Sequence, residues 1–281
     1  MKASIKKIIY GFTTGILATG MILGAQTAGA TVYTLADANS SVEVDNASSD
    51  GLQSWMVDGV EHMYQQWFWY RIGNTAEQSI DTLGFILGGT TDTNFDGNDD
   101  TLYLKYGQNG PIELSIKYGL TGGADGSKVS LLSEEISITN TGNGALDLSF
   151  FQYNDYDLDN TADNDMAVRS NDNTILQRDL DSGFSIAETV VTPKAARWEI
   201  SAYSDLLDRL EDGNPTDLSN NGSGFSGDVT WGWQWDFTLA GGDTFLISKN
   251  KRIGVPEPAS IALLGLGLLG MGFASRRRTH E

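Results

Sequence analysis

Apolar segments between residues 31 and 251 are short, aromatic or β-branched, and separated by Gly, Asn and Asp. TVYTL, HMYQQWFWYRI, IDTLGFIL, TLYLKY, IELSIKYGL, VSLLSEEISIT, ALDLSFFQY, NTILQ, FSIAETVV, RWEISAY, DVTWGWQWDF and TFLIS each read as a strand. Side chains of this kind suit a pleated, partly buried surface. Asp58-Gly59, Asn109-Gly110-Pro111, Gly122-Gly123, Asn143-Gly144 and Gly241-Gly242 supply turns between them. One helix fits, DLLDRLED after Ser204, with acids in its first turn and Gly213 then Pro215 to end it. Many closely spaced strands with one small helix predict an all-β domain, an antiparallel β-sandwich or jelly roll. Lys251-Arg252-Ile253-Gly254 reads as a short linker out of that domain.

The two ends have a different character. Lys2, Lys6 and Lys7 precede an apolar stretch that starts at Ile8 and closes on Ala28-Gly29-Ala30. That order predicts a secretory signal peptide over residues 1–30, with Ala28 and Ala30 at the cleavage site. An uncleaved N-terminal anchor is the alternative. At the other end, Pro256, Glu257 and Pro258 precede an apolar run over 259–275 and then Arg276, Arg277 and Arg278. Fixed proline φ angles keep the triplet extended and accessible. The 17-residue run would be about 26 Å long as a helix, near the minimum that spans a bilayer core. The arginines would hold the stub 276–281 on the cytoplasmic side. A buried core helix is the competing reading of the run, and the flanking arginines argue against it. Together the ends place residues 31–254 outside the inner membrane, with the Sec translocon and signal peptidase as partners.

The tail resembles a PEP-CTERM sorting signal, the substrate tag of exosortase systems in Gram-negative, exopolysaccharide-producing bacteria. Val255-Pro256-Glu257-Pro258, the Leu/Gly-rich span and the arginine cluster carry the resemblance, over about a tenth of the chain. It implies that a membrane-embedded exosortase processes the protein near the triplet. The ectodomain would then pass from a transient anchor in the inner membrane to the cell surface or matrix. A permanently anchored single-pass protein is the competing reading. HMYQQWFWYRIG, FFQYNDYDLDNT and WGWQWDF are also similar to an ectodomain type that recurs among PEP-CTERM proteins, and that likeness implies no activity.

Charge narrows the partners. Of 18 basic residues three lie in the leader and three in the tail, and of 37 acidic residues only Glu257 and Glu281 lie in the tail. The middle therefore carries 12 against 35, a net charge near −23. Such a charge excludes nucleic acid and anionic lipid surfaces as partners, and it attracts divalent cations. There is no cysteine, so the domain must be stable without disulfides.

Two acidic loops are candidate calcium sites. Asp92, Asn94, Asp96 and Asp100 stand at loop positions 1, 3, 5 and 9 with Gly97 at 6, although position 12 is Tyr103. Asp155, Asp157 and Asp159 alternate in a second loop, which lacks the glycine and ends on Met166. Solvated turns would use the same residues. Trp231, Trp233 and Trp235 share one face of a strand and form either a sugar-stacking row or part of the core between two sheets. Trp67 and Trp69 lie on a strand that is apolar on both faces, which favours the core.

Enzyme chemistry has little to stand on. His62 is the one histidine in the ectodomain, and nothing near it has motif spacing. Glu134 and Glu135 point to opposite faces of a strand, so they cannot act as a pair. The residues favour a non-catalytic surface or matrix protein that binds polysaccharide with Ca2+, or serves as a structural subunit. A polysaccharide-active hydrolase or lyase using Asp155, Asp157 or Glu188 is the alternative.

Overall fold

A computed structural model describes residues 29–222 and 224–255. The signal-peptide stretch through Ala28, the Pro256-Glu257-Pro258 triplet, the 259–275 run and Arg276, Arg277 and Arg278 lie outside the described residues. The chain runs through β1 (Val32–Asp37), β2 (Ser40–Asp45), β3 (Leu52–Val57), β4 (Val60–Glu61), β5 (Gln65–Ile72) and β6 (Gln78–Ser79). It continues through β7 (Phe85–Thr91), β8 (Thr101–Tyr106), β9 (Ile112–Gly122), β10 (Ser130–Asn140) and β11 (Leu146–Asp155). Then come β12 (Asp165–Asn171), β13 (Thr174–Asp179), β14 (Ser185–Thr192), β15 (Arg197–Ala202) and the helix α1 (Asp205–Glu211). The last strands are β16 (Phe225–Gly227), β17 (Val229–Leu239) and β18 (Thr244–Gly254).

These strands form an antiparallel β-sandwich of two nine-stranded sheets. The first sheet has the order β1-β2-β3-β5-β11-β17-β15, with β4 and β6 attached to β3 and β5. The second has the order β16-β12-β13-β14-β18-β10-β9-β8-β7. In the second sheet, β9 and β10 alternate buried and accessible residues, as expected where one face packs and the other meets water. The centre of the first sheet behaves differently. β5, β11 and the first half of β17 are buried on both faces, because α1 and the segment after it cover the outer one. Gly232 marks the contact: a Cβ there would lie 2.9 Å from Leu206 of α1 and 2.6 Å from the Gln152 carbonyl.

The inter-sheet layer holds the Trp231 row, whereas Trp67 and Trp69 share a face with Tyr153, Phe151 and Gly232 on the other side of the first sheet. Trp231, Trp233 and Trp235 are no more than 1% exposed, as are Trp67 and Trp69. Trp231 stacks on Tyr156 at 5.8 Å and donates through Nε1 to Gln177 of the second sheet. This burial corrects the sugar-stacking reading of the Trp231 row, because a ring enclosed between two sheets has no free face for a sugar. The same layer contains charge. Glu134 of β10 pairs with Lys249 of β18 at 2.5 Å and also with Lys251. Lys249 lies 3.4 Å from Glu188 of β14, and Gln152 and Gln66 complete the network. Burial pushes the Glu134 carboxyl up, but Lys249 and Lys251 outweigh it and hold the group low.

Three expectations change. The predicted strand IDTLGFIL begins as a 3-10 turn over Ile80–Leu83, and the strand starts only after Gly84, whose φ is 79°. The predicted linker at Lys251 to Gly254 is the end of β18, paired on both sides by β10 and β14. Lys251 of that segment has its ammonium fully buried against Glu134. The predicted helix is present, but the Ser204 hydroxyl bonds the Asp208 carboxylate at 2.9 Å rather than capping the backbone.

Candidate functional site

Antiparallel register brings four chain segments to one end of the first sheet. Asp155 at the end of β11 lies opposite Gln65 of β5 and Thr230 of β17, and Ala202 of β15 lies opposite Val229. Tyr64, Asp228 and Tyr203 stand one residue beyond those strands and therefore gather around Asp155. The backbone fixes the arrangement, since the Tyr64 N–H donates to the Asp155 carbonyl at 3.1 Å and the Tyr203 N–H to the Asp228 carbonyl at 3.0 Å.

The carboxylates of Asp155, Asp157 and Asp228 each place an oxygen within 4.8 Å of the others. Together with Tyr64, Tyr203 and Ala162 they line a cleft of about 130 Å³. Asp155 is 1% exposed, and its carboxyl is pushed up to about 8 by burial and then by the neighbouring Asp157 charge. Burial and then Asp228 raise Asp157; burial and then Asp163 raise Asp228. For all three, burial is the larger cause and the neighbouring carboxylates add to it. Oxygens of this kind suit a hard divalent cation. Ca2+ binds carboxylate oxygens at roughly 2.3–2.6 Å, so oxygens around one ion stand no more than about 5 Å apart, and the three here lie within 4.8 Å of one another. The Asp155 Oδ2 accepts the Tyr153 hydroxyl at 3.0 Å, which holds the side chain in place.

The remaining sequence candidates lie elsewhere. Asp159 does not join the cluster; it sits at φ 59° in a 3-10 turn, and its N–H donates to His62 Nδ1 at 3.1 Å. His62 is fully buried against Phe184, and burial lowers it to about 4, so it stays neutral. The 92–100 loop is folded around its own backbone. Asp92 accepts from the N–H groups of Phe95 and Gly97, and Asp100 accepts from those of Thr93 and Asn94. Asp96 accepts from the Asn98 N–H, while Asn94 accepts from Asp96 and donates to Asp37. These oxygens do not converge, which corrects the calcium reading of that loop; among the described residues, Asp155, Asp157 and Asp228 are the carboxylates that do. Glu188 lies inside the inter-sheet ion network, which removes it as a catalytic carboxylate. Asp228, Tyr64 and Tyr203 were not singled out in sequence. Asp228 is over 60 residues from Asp155 in the chain, and only strand register joins them.

Residues 254–278 match the PEP-CTERM protein-sorting motif. The chain carries a PEP-CTERM sorting motif. The motif implies export, transient membrane anchoring and processing by an exosortase. The sandwich of this chain is similar to a provisionally assigned aldose 1-epimerase from Escherichia coli K12, at 12% identity and a TM-score of 0.51. That likeness covers 81% of this chain and 100% of the other. It is also similar to a bacterial glucoamylase solved with acarbose, at 10% identity and a TM-score of 0.53. There the match covers 87% of this chain but only 37% of the glucoamylase. At such identities the likeness shows the fold alone. No curated protein matches the sequence.

Proposed function

We propose that this PEP-CTERM protein is a non-catalytic component of the cell surface or extracellular matrix that binds polysaccharide with the help of Ca2+. Residues 1–30 act as the signal peptide, 31–254 as the binding domain and 255–281 as the removable tail. The convergence of Asp155, Asp157 and Asp228 beneath two partly exposed tyrosines carries the reading. A bound cation would neutralise the three carboxylates and, through the Asp155 and Asp228 backbones, stiffen Tyr64 and Tyr203. The sugar-related names of the two similar structures are compatible with this reading.

The test is retention of the exported protein on its producer's own exopolysaccharide, with and without EDTA. Retention should fall in EDTA and in Asp228→Asn, and Ca2+ should raise the melting temperature of the wild type. Retention that is unchanged by EDTA, with no Ca2+ effect on melting, would refute the proposal. A second reading follows from Asp155, whose carboxyl at about 8 is still protonated at neutral pH and could serve as a general acid in a polysaccharide-active enzyme. New reducing ends released from the same polysaccharide, and lost in Asp155→Asn, would favour that reading instead.

A further inference from the structure

Tyr64 and Tyr203 are 52% and 45% exposed, and their rings meet edge to face at 6.0 Å. Among the described residues Phe95 is the other strongly exposed aromatic, and it belongs to the separate 92–100 loop. Two partly exposed rings in contact form a corner with one open face and one adjoining edge. The pair lines both the carboxylate cleft and a second, larger groove of about 470 Å³. That volume lies within the range of small-molecule sites.

The larger groove has the chemistry of a polyol site. Ser49, Asp50, Gln53, Gln65 and Glu211 line it, with Leu207 of α1 adding an apolar contact. Gln65 is 6% exposed and its Nε2 donates to the Ser49 carbonyl at 2.7 Å, which holds the amide rigid at the groove wall. The lining offers amides, a hydroxyl and two carboxylates, and none of its side chains is basic. Sugar hydroxyls can donate to those carboxylates, whereas a uronate or a phosphate would meet like charge with no basic side chain to balance it. The C–H face of a pyranose can lie against the open tyrosine face, as amphipathic aromatic rings allow.

We infer that the groove between the Tyr64–Tyr203 pair and α1 binds a segment of a neutral glycan, with the two tyrosines as its stacking platform. This rests on the polysaccharide-binding reading above and adds both the surface and the class of polymer. It replaces the buried Trp231 row with aromatics that solvent reaches. Asp155, Asp157 and Asp228 are not among the residues that line the groove, so cation and sugar need not share ligands.

Affinity electrophoresis of the exported protein tests the inference. The probes are neutral β-glucan and galactomannan and the anionic polymers alginate and polygalacturonate, each with Ca2+ present. The neutral polymers should retard the wild type. Tyr203→Ala should weaken that retardation at least tenfold while keeping a single cooperative melting transition, which shows that the variant folds. Gln53→Ala, at the groove wall, should weaken retardation without touching either tyrosine. Unchanged retardation in both variants overturns the inference, as does binding confined to the anionic polymers or to none of the probes. A Ca2+ effect on melting with no neutral-glycan binding removes the groove and leaves the cation site standing. Tyrosine-dependent glycan binding with no Ca2+ effect does the reverse.

Discussion

Replacing Asp155 with asparagine should flatten the pH dependence of stability in a defined window. Its carboxyl is shifted from an ordinary 3.8 to about 8 in the folded state. A group raised in this way stays protonated in the fold but ionises in the unfolded chain. Stability from it is fully present below pH 4 and is lost as pH rises toward 8, at about 1.4 kcal/mol per pH unit. His62 acts in the opposite sense: its folded value near 4 lies below its ordinary 6.5, so its contribution grows as pH rises to 6.5 and is constant above that. The clean window is therefore pH 6.5 to 8. Across it Asp155 alone should remove about 2 kcal/mol, or roughly 4–8 °C in melting temperature for a domain of this size. Asp165, also raised to about 8 by burial, slopes the same way in both proteins and cancels in the comparison. Thermal melts in EDTA at the two pH values, for wild type and Asp155→Asn, measure the difference. Saturating Ca2+ should flatten the wild-type slope, and at a hundredfold excess over Kd it should add about 2.7 kcal/mol. Identical slopes for the two proteins in EDTA would refute the claim that Asp155 is held protonated by burial and by Asp157.

Other consequences concern the sandwich and the tail. Trp233→Ala should cost about 3–5 kcal/mol in chemical denaturation, because it empties a core site rather than a sugar platform. Lys251→Met should cost a similar 3–5 kcal/mol by leaving Glu134 and Glu188 with one buried lysine between them, again read by denaturation. For sorting, the mass of the mature protein from cells with and without exosortase should differ by the tail, and an intact tail in both would contradict processing near Pro256-Glu257-Pro258.

Much of the architecture was legible in residue order. Strands such as β9 and β10 alternate plainly, and turns at Gly and Asn separate them, so class and layering follow from local preference. The sorting tail was equally legible, because its signal is linear: a triplet, an apolar run and a cluster of arginines read one after another. The errors fell where local composition and tertiary surroundings disagree. Asp92, Asp96 and Asp100 have calcium-like spacing but spend their oxygens on their own loop's N–H groups. Lys251 opens a segment that reads as a linker, yet it and Lys249 are buried in the sandwich, where carboxylates from two neighbouring strands meet them.

By itself, the sequence determined the all-β class, the export route and the acidic, cysteine-free character of the domain. Each depends on composition or on residues close together in the chain. Tertiary structure alone decided which acids meet and which aromatics reach solvent. Asp155 joins Asp228 and Tyr64 faces Tyr203 through antiparallel register, while α1 and the second sheet enclose the tryptophans. Register is a long-range property: a shift of one residue would turn each of those side chains to the other face of its sheet.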